Sequence, residues 1–186
     1  MPVSILKAVR ESKQMNAGCL FTNGIHVLAG YQPNKPFPSI NGIGGKPEEG
    51  DPVITALREF LEEVFGIYDC VKGIVELRTV VPRHVFEQKR YVTYIYDFND
   101  LVKMLEIVSG LGVSSPLYVE IPRSLIELLF TRLPVKSEIS HLCLIPLVQH
   151  GTHPFVEPYF LRDLSKIHSL LKTPSSSDTP HDTQDS

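Results

Sequence analysis

The chain of 186 residues carries 18 basic and 21 acidic side chains, a net charge of −3, with 42% apolar residues, so it is long enough and apolar enough to bury a continuous core without disulfides. Three of the acids, Asp178, Asp182 and Asp185, fall in the stretch after residue 172, which has no lysine or arginine, and the body before it balances 18 basic against 18 acidic residues. That neutrality disfavours a broad basic face for gripping long nucleic acid, and Cys19, Cys70 and Cys143 are too scattered for a zinc site or a disulfide framework.

No apolar run approaches the roughly 18 residues of a membrane span, and the opening MPVSILKAVRESK is too short and too charged for a signal peptide. The expectation is a soluble cytoplasmic or nuclear protein with no membrane partner and with reduced, buried thiols. Residues 1–172 read as one domain and 173–186 as a disordered tail, because TPSSSDTPHDTQDS lacks apolar anchors.

Residues 2–14 fit neither a helical nor a strand period. AGCLFT and IHVLAGY then flank Asn23-Gly24, a pair that tolerates positive φ and predicts a hairpin. Residues 32–51, crowded with Pro, Gly and Asn, predict a structured loop with little regular structure. Asp51-Pro52 supplies an N-cap acceptor and a first-turn proline, so a helix is expected over 52–65, closed by Gly66 in a left-handed cap.

IVELRTVVPRHVF and KRYVTYIYDF predict paired strands with Glu87-Gln88 near their turn. Within 99–137, LVKMLEIVSGL and RSLIELLFTRL read as helices separated by SSPLYVEIP; HLCLIPL reads as a last strand and 160–171 as a closing helix.

The 52–65 segment contains REFLEE, which concentrates Glu59, Glu62 and Glu63 within one turn of helix. At about 100° per residue, Glu62 and Glu63 fall roughly 60° to either side of Glu59, while Val53, Leu57, Phe60, Leu61 and Val64 gather opposite. Such a trio is ordinarily a solvated face. Like charges at these spacings repel by a few tenths of a kcal/mol per pair, and magnesium is commonly shared between a few carboxylates and substrate phosphates. Gly44 and Gly45, without Cβ atoms, would let backbone approach such an ion or a diphosphate.

GGKPEEGDPVITALREFLEEVFGI resembles the signature of the Nudix hydrolases, a glycine loop followed by a helix bearing Arg-Glu, two residues, and Glu-Glu. Two positions depart from it: Asp51 stands where a glutamate is usual, one residue closer to the arginine, and Gly66 comes one position late. The resemblance implies an α/β/α sandwich with a mixed central sheet, 99–137 being an insertion. It also implies metal-dependent cleavage of a nucleoside diphosphate linkage with Mg2+ or Mn2+.

Carried over position by position, Glu59, Glu62 and Glu63 are the implied metal ligands, with a backbone carbonyl at Gly45. Arg58 orients a glutamate and ties down the loop, and Gly44, Gly45 and Lys46 meet the substrate. SEISHLCLIPL resembles the region where many members carry a further acid, which makes Glu138 the candidate extra ligand or general base, with Glu87 and Glu120 as alternatives. The same region, with 99–136, resembles the viral, poxvirus-type decapping branch, so capped RNA joins nucleotides among the expected partners, and Lys89, Arg90, Arg123 and Arg132 are the basic residues available to hold it.

Tyr91, Tyr94, Tyr96 and Phe98 are candidates to stack a base, though alternating aromatics are first of all strand residues. His26, His84 and His141 read as packing or surface residues. The alternatives are a free-nucleotide pyrophosphatase and a non-catalytic nucleotide- or RNA-binding domain.

Overall fold

The computed structural model describes residues 15–47, 50–148 and 154–172; the expectations for 2–14 and for the tail lie outside them. Among the described residues seven strands form one mixed sheet: β1 Asn16–Thr22, β2 His26–Gln32, β3 Ser39–Asn41, β4 Ile43–Gly45, β5 His84–Glu87, β6 Tyr91–Asp97 and β7 His141–Pro146. The helices are α1 Pro52–Glu59, α2 Val71–Leu77, α3 Phe98–Gly110, α4 Leu125–Phe130 and α5 Pro158–Lys172. β1 pairs in parallel with β6, whereas the other ladders are antiparallel.

The predicted hairpin forms at Asn23-Gly24. Gly24 adopts φ +83, and the Asn23 side-chain oxygen accepts from the amides of Ile25 and His26 at 3.0 and 2.7 Å. Beyond the Thr22↔Val27 pair the two strands part. Residues 39–45, expected as loop, enter the gap as two short strands, β3 against the far end of β2 and β4 against the start of β1. Proline and glycine punctuation hid them, since neither strand exceeds three residues.

Strand alternation assigns the two faces. Ala17, Cys19, Phe21 and Leu28 face the layer of α1–α4, and Leu20, Val27, Ala29 and Ile145 face α5. The sheet therefore lies between helical layers, the α/β/α arrangement expected. The helices of 99–137 contribute Leu101, Met104, Leu105 and Leu128 to the same core as α1. IVEL, expected as strand, instead completes α2, and only His84–Glu87 of that stretch pairs with β6.

All three cysteines are free, but only Cys19 is fully buried.

The Asp51 carboxylate accepts from the Val53 amide at 3.1 Å, and Gly66 closes the segment at φ +67. Between them the helix is not uniform: after Glu59 it widens into a π turn over Phe60–Val64, a feature that recurs at functional sites. Arg132 closes its end. The guanidinium donates to the carbonyls of Glu63, Val64 and Ile139 at 3.0, 2.5 and 2.7 Å, joining the π turn to the loop before β7.

Replacing Arg132 by Met strands those carbonyls without removing the hydrocarbon stem, which costs about 3 kcal/mol. Thermal denaturation is expected to show a fall of about 6–12 °C; Arg132→Lys, with one ammonium for three divergent acceptors, should recover less than half of it.

Candidate functional site

The cleft is built where the sheet forks. Gly44, in β4, lies opposite Gly18 in β1, and at both positions a Cβ would come within 2.3 Å of the Tyr91 hydroxyl. The paired glycines are the space that the phenol occupies. With φ +152 at Gly44, its amide turns toward α1 and donates to Glu63 Oε2 at 2.7 Å. Gly45, next along, approaches α1 so closely that a Cβ there would sit 2.3 Å from Glu59 Oε1. This is the close backbone approach for which glycine is required.

On the helix, Arg58 donates to Glu62 Oε2 at 2.8 Å, to Glu59 Oε1 at 2.6 Å and to the Lys46 carbonyl at 3.0 Å. It ties the loop to the helix and holds two of the acids. From the other side of the cleft, Gln32 Nε2 lies 3.4 Å from Glu63 Oε1 and 3.5 Å from Glu138 Oε1, and Lys35 Nζ is 3.2 Å from Glu138 Oε1. Glu59, Glu62, Glu63 and Glu138 thus line one cleft of about 390 Å3, together with Tyr68, Leu117 and Lys136.

Burial removes the alternative of an ordinary solvated face. Glu63 is 6% exposed, and the Glu59 and Glu62 side chains retain 13% and 19% of their exposure. Regular helical spacing placed all three on the outside. The π turn takes an extra residue into its circumference and carries Glu63 round toward β4, where Phe60, Leu61 and Val64 are also fully buried. Burial pushes the Glu63 carboxyl up to about 8, and the charges of Glu59 and Glu138 add to it, against the opposing Gly44 amide and Lys35. Burial also raises Glu59, with the Arg58 guanidinium opposing.

The other sequence candidates divide. Lys46 contributes its carbonyl to Arg58 while its side chain is exposed. Asp51 caps α1 and pairs with Arg78 at 2.9 Å, and it does not line the cleft. Glu87 and Glu120 are exposed and do not line the cleft. Arg132, offered as a basic-patch residue, is committed to backbone carbonyls, and Arg123 to Ser109 at 3.1 Å.

The aromatics form no common stacking platform. Tyr96 is 1% exposed and packs on Phe21 at 5.5 Å, whereas Tyr91 lines a cavity on the α5 side. Gln32 and Lys35 were missed. Gln32 is a polar residue, 3% exposed, at the end of an apolar strand. Such a position asks for a partner, but nothing in the sequence names Glu63 as that partner.

The donor set is that of a hard divalent cation: carboxylate oxygens and backbone carbonyl from a loop pressed against them. Among the described residues no three His, Cys, Asp or Glu side chains are gathered as a cage; Arg58 engages Glu59 and Glu62, and Gly44 engages Glu63. The residue types and the crowding of Glu59 against Gly45 fit such an ion.

No protein-family model matches the sequence, and no curated protein matches it. Among solved structures the chain is similar to a hydrolase of the Nudix family from Clostridium perfringens, at 13% identity and a TM-score of 0.35, over 86% of this chain and 99% of that one. A likeness at that distance leaves function to be argued from the chain's own residues.

Proposed function

We propose that the chain is a Nudix-type hydrolase that cleaves a nucleoside diphosphate linkage with Mg2+ or Mn2+. The observation that carries this reading is the meeting of Glu59, Glu62, Glu63 and Glu138 in one cleft, directly against the diglycine of β4. Buried carboxylates with one shared arginine are unfavourable for folding alone, and their grouping is accounted for by a cation and a polyanionic substrate.

Glu59, Glu62 and Glu63, with the Gly45 carbonyl, would hold the ion. When bound, it supplies neutralisation of the phosphate oxygens and a bound water of lowered pKa. The chain's residues do the rest. Arg58 fixes Glu59 and Glu62 in place and keeps the Lys46 carbonyl against the helix. Glu138, with its side chain 54% exposed at the cleft mouth and in contact with Lys35 and Gln32, would accept the proton of an attacking water. Lys35 beside it offers a positive charge to a phosphate.

Substrate choice lies outside the carboxylate cluster. Capped RNA is the leading specific substrate by sequence resemblance, with free nucleotides as the competing class. A panel of nucleoside triphosphates, dinucleotides and capped RNA, with Mg2+ or Mn2+ and product analysis, separates them: capped RNA releases m7GDP, and a free-nucleotide pyrophosphatase releases pyrophosphate.

Glu62→Gln and Glu63→Gln are each expected to lower kcat by 100-fold or more with the circular-dichroism spectrum unchanged. Wild-type rates in both variants would remove the roles given to these residues.

The buried carboxyl also sets a pH dependence. Because Glu63 titrates near 8 in the fold against about 4.3 in an unfolded chain, the folded state binds more protons between these values. Its contribution to stability is therefore present below about pH 4.3 and is lost as pH rises through 8. In chelator, the melting temperature of wild type is expected to fall relative to Glu63→Gln across pH 5–8. Added Mg2+, favouring the ionised carboxylate, should restore the wild type and not the variant. A flat difference across that range would show that Glu63 keeps an ordinary pKa.

A further inference from the structure

Part of the lining of the acidic cleft has no role in the bond cleavage itself: Tyr68, Pro116, Leu117, Val135 and Lys136. All but Tyr68 come from the segment 99–137. Local contacts fix this wall to the helix that bears the acids. Gly66 comes so near that a Cβ there would lie 2.8 Å from Pro116 Cγ and 3.1 Å from Leu117 Cγ. The Ser115 hydroxyl donates to the Phe65 carbonyl and accepts from the Leu117 amide at 3.0 Å. The Leu133 amide donates to the Leu117 carbonyl at 2.8 Å, which joins the two halves of the wall.

Tyr68 is held outward beside it. Ile67 is 6% exposed and Tyr68 67%, in a stretch bounded by Gly66 at φ +67 and Asp69 at φ +53. Among the described residues Asp69 is the one non-glycine with positive φ, a conformation that Asp tolerates and most residues avoid. A lone exposed tyrosine needs no explanation. This one shares a cavity with four carboxylates, the exposed Val135 and the buried Leu117.

Two features say what the wall would meet. Its aromatic and aliphatic surfaces suit a flat ring, whereas Lys136, exposed and in no ion pair among the described residues, suits an anion. An apolar peptide would leave the lysine unused, and free phosphate would leave the tyrosine unused. A nucleobase joined to phosphate uses both. The volume of about 390 Å3 lies within the range of small-molecule sites. Carboxylates and wall line that one cavity together, so a single linked molecule reaches both without crossing a strand.

We infer that the wall built by 99–137 and Tyr68 is a subsite for a nucleobase attached to the diphosphate, stacked on the Tyr68 ring, with Lys136 on the connecting phosphates. The inference rests on the nucleoside diphosphate reading of the cleft. Its own content is the stacking platform, and with it a part for 99–137 in recognising substrate.

The chain contains no tryptophan, so Tyr68→Trp introduces a single fluorescent reporter, at a position exposed enough to tolerate it. The probes, used with Mg2+ on the full chain, are methylene-bridged diadenosine diphosphate and methylenediphosphonate. Neither P–C–P bridge is hydrolysed, and the second probe has no ring. The ring-bearing probe is expected to quench the introduced indole, and the ring-free probe to bind without quenching it.

By calorimetry, Tyr68→Ala should weaken the ring-bearing probe by about 10-fold, the scale of one base stacked on an aromatic side chain, and the ring-free probe by less than about 2-fold. Tyr68→Phe, which keeps the ring, should bind both as the wild type does. Equal quenching by the two probes, ring-bearing probe bound without quenching, equal affinity of wild type and Tyr68→Ala, or no binding of the ring-bearing probe at millimolar concentration would each overturn the inference. Metal-dependent hydrolysis of diadenosine diphosphate at wild-type KM in Tyr68→Ala would keep the hydrolase reading and remove the platform; a ring-specific quench on a chain that hydrolyses no nucleotide would do the reverse.

Discussion

The hydrogen bond from the Gly44 amide to Glu63 is the contact around which the molecule is arranged. A carboxylate that is 6% exposed is strongly disfavoured unless hydrogen-bonded, and here it is held at both ends: the side chain by Gly44, the backbone carbonyl by Arg132. For the amide to point at α1, β4 must leave β2 and pair with β1, so the hairpin of β1 and β2 must open after its first pair. The fork in the sheet, the π turn and the Arg132 clamp are thus parts of one device that places a buried acid beside a backbone loop.

That device leaves the charges unbalanced on purpose or not at all, and the distribution of cations decides which. Arg58 pairs with Glu59 and Glu62, and Lys35 lies on Glu138 with both side chains about half exposed, where an ion pair is worth little. A purely structural cluster would be expected to give its most buried carboxylate the best cation. Here that carboxylate has an amide and a side-chain amide instead, and burial with little compensating charge holds its protonation well above the usual carboxylate range.

Much of this was legible where local physics is decisive. Asn23-Gly24 has one economical conformation, and Asp51-Pro52 with Gly66 delimits a helix whatever packs on it. The grouping of Glu59, Glu62 and Glu63, and the choice of Glu138 over Glu87 and Glu120, came from the spacing and its resemblance to a known signature. What escaped is set by long-range contacts. The π turn depends on how α1 seats against β4, the strands within 39–45 on a gap opened elsewhere, and the helical fate of IVEL on packing that overrides its β-branched residues. Gln32 and Arg132 act through partners 31 and 69 residues away in the chain, separations at which sequence pattern carries no signal.

The sheet's central position between two helical layers makes the β1–β4 ladder the boundary between the acidic cleft and the cavity under α5. Successive residues of a strand face opposite sides, and the paired backbones close the ladder to any ligand, so a neighbouring side chain can reach it only where side chains are missing. Gly18 and Gly44 face each other across the β1–β4 ladder and are the place where that condition is met, the space being filled by one phenolic hydroxyl. A larger residue at either position would displace the Tyr91 phenol from the boundary between the acidic cleft and the cavity under α5. The diglycine therefore serves two requirements at once, the approach of Gly45 to Glu59 on one face and the thin wall behind Gly44 on the other, and each requirement alone would forbid a side chain.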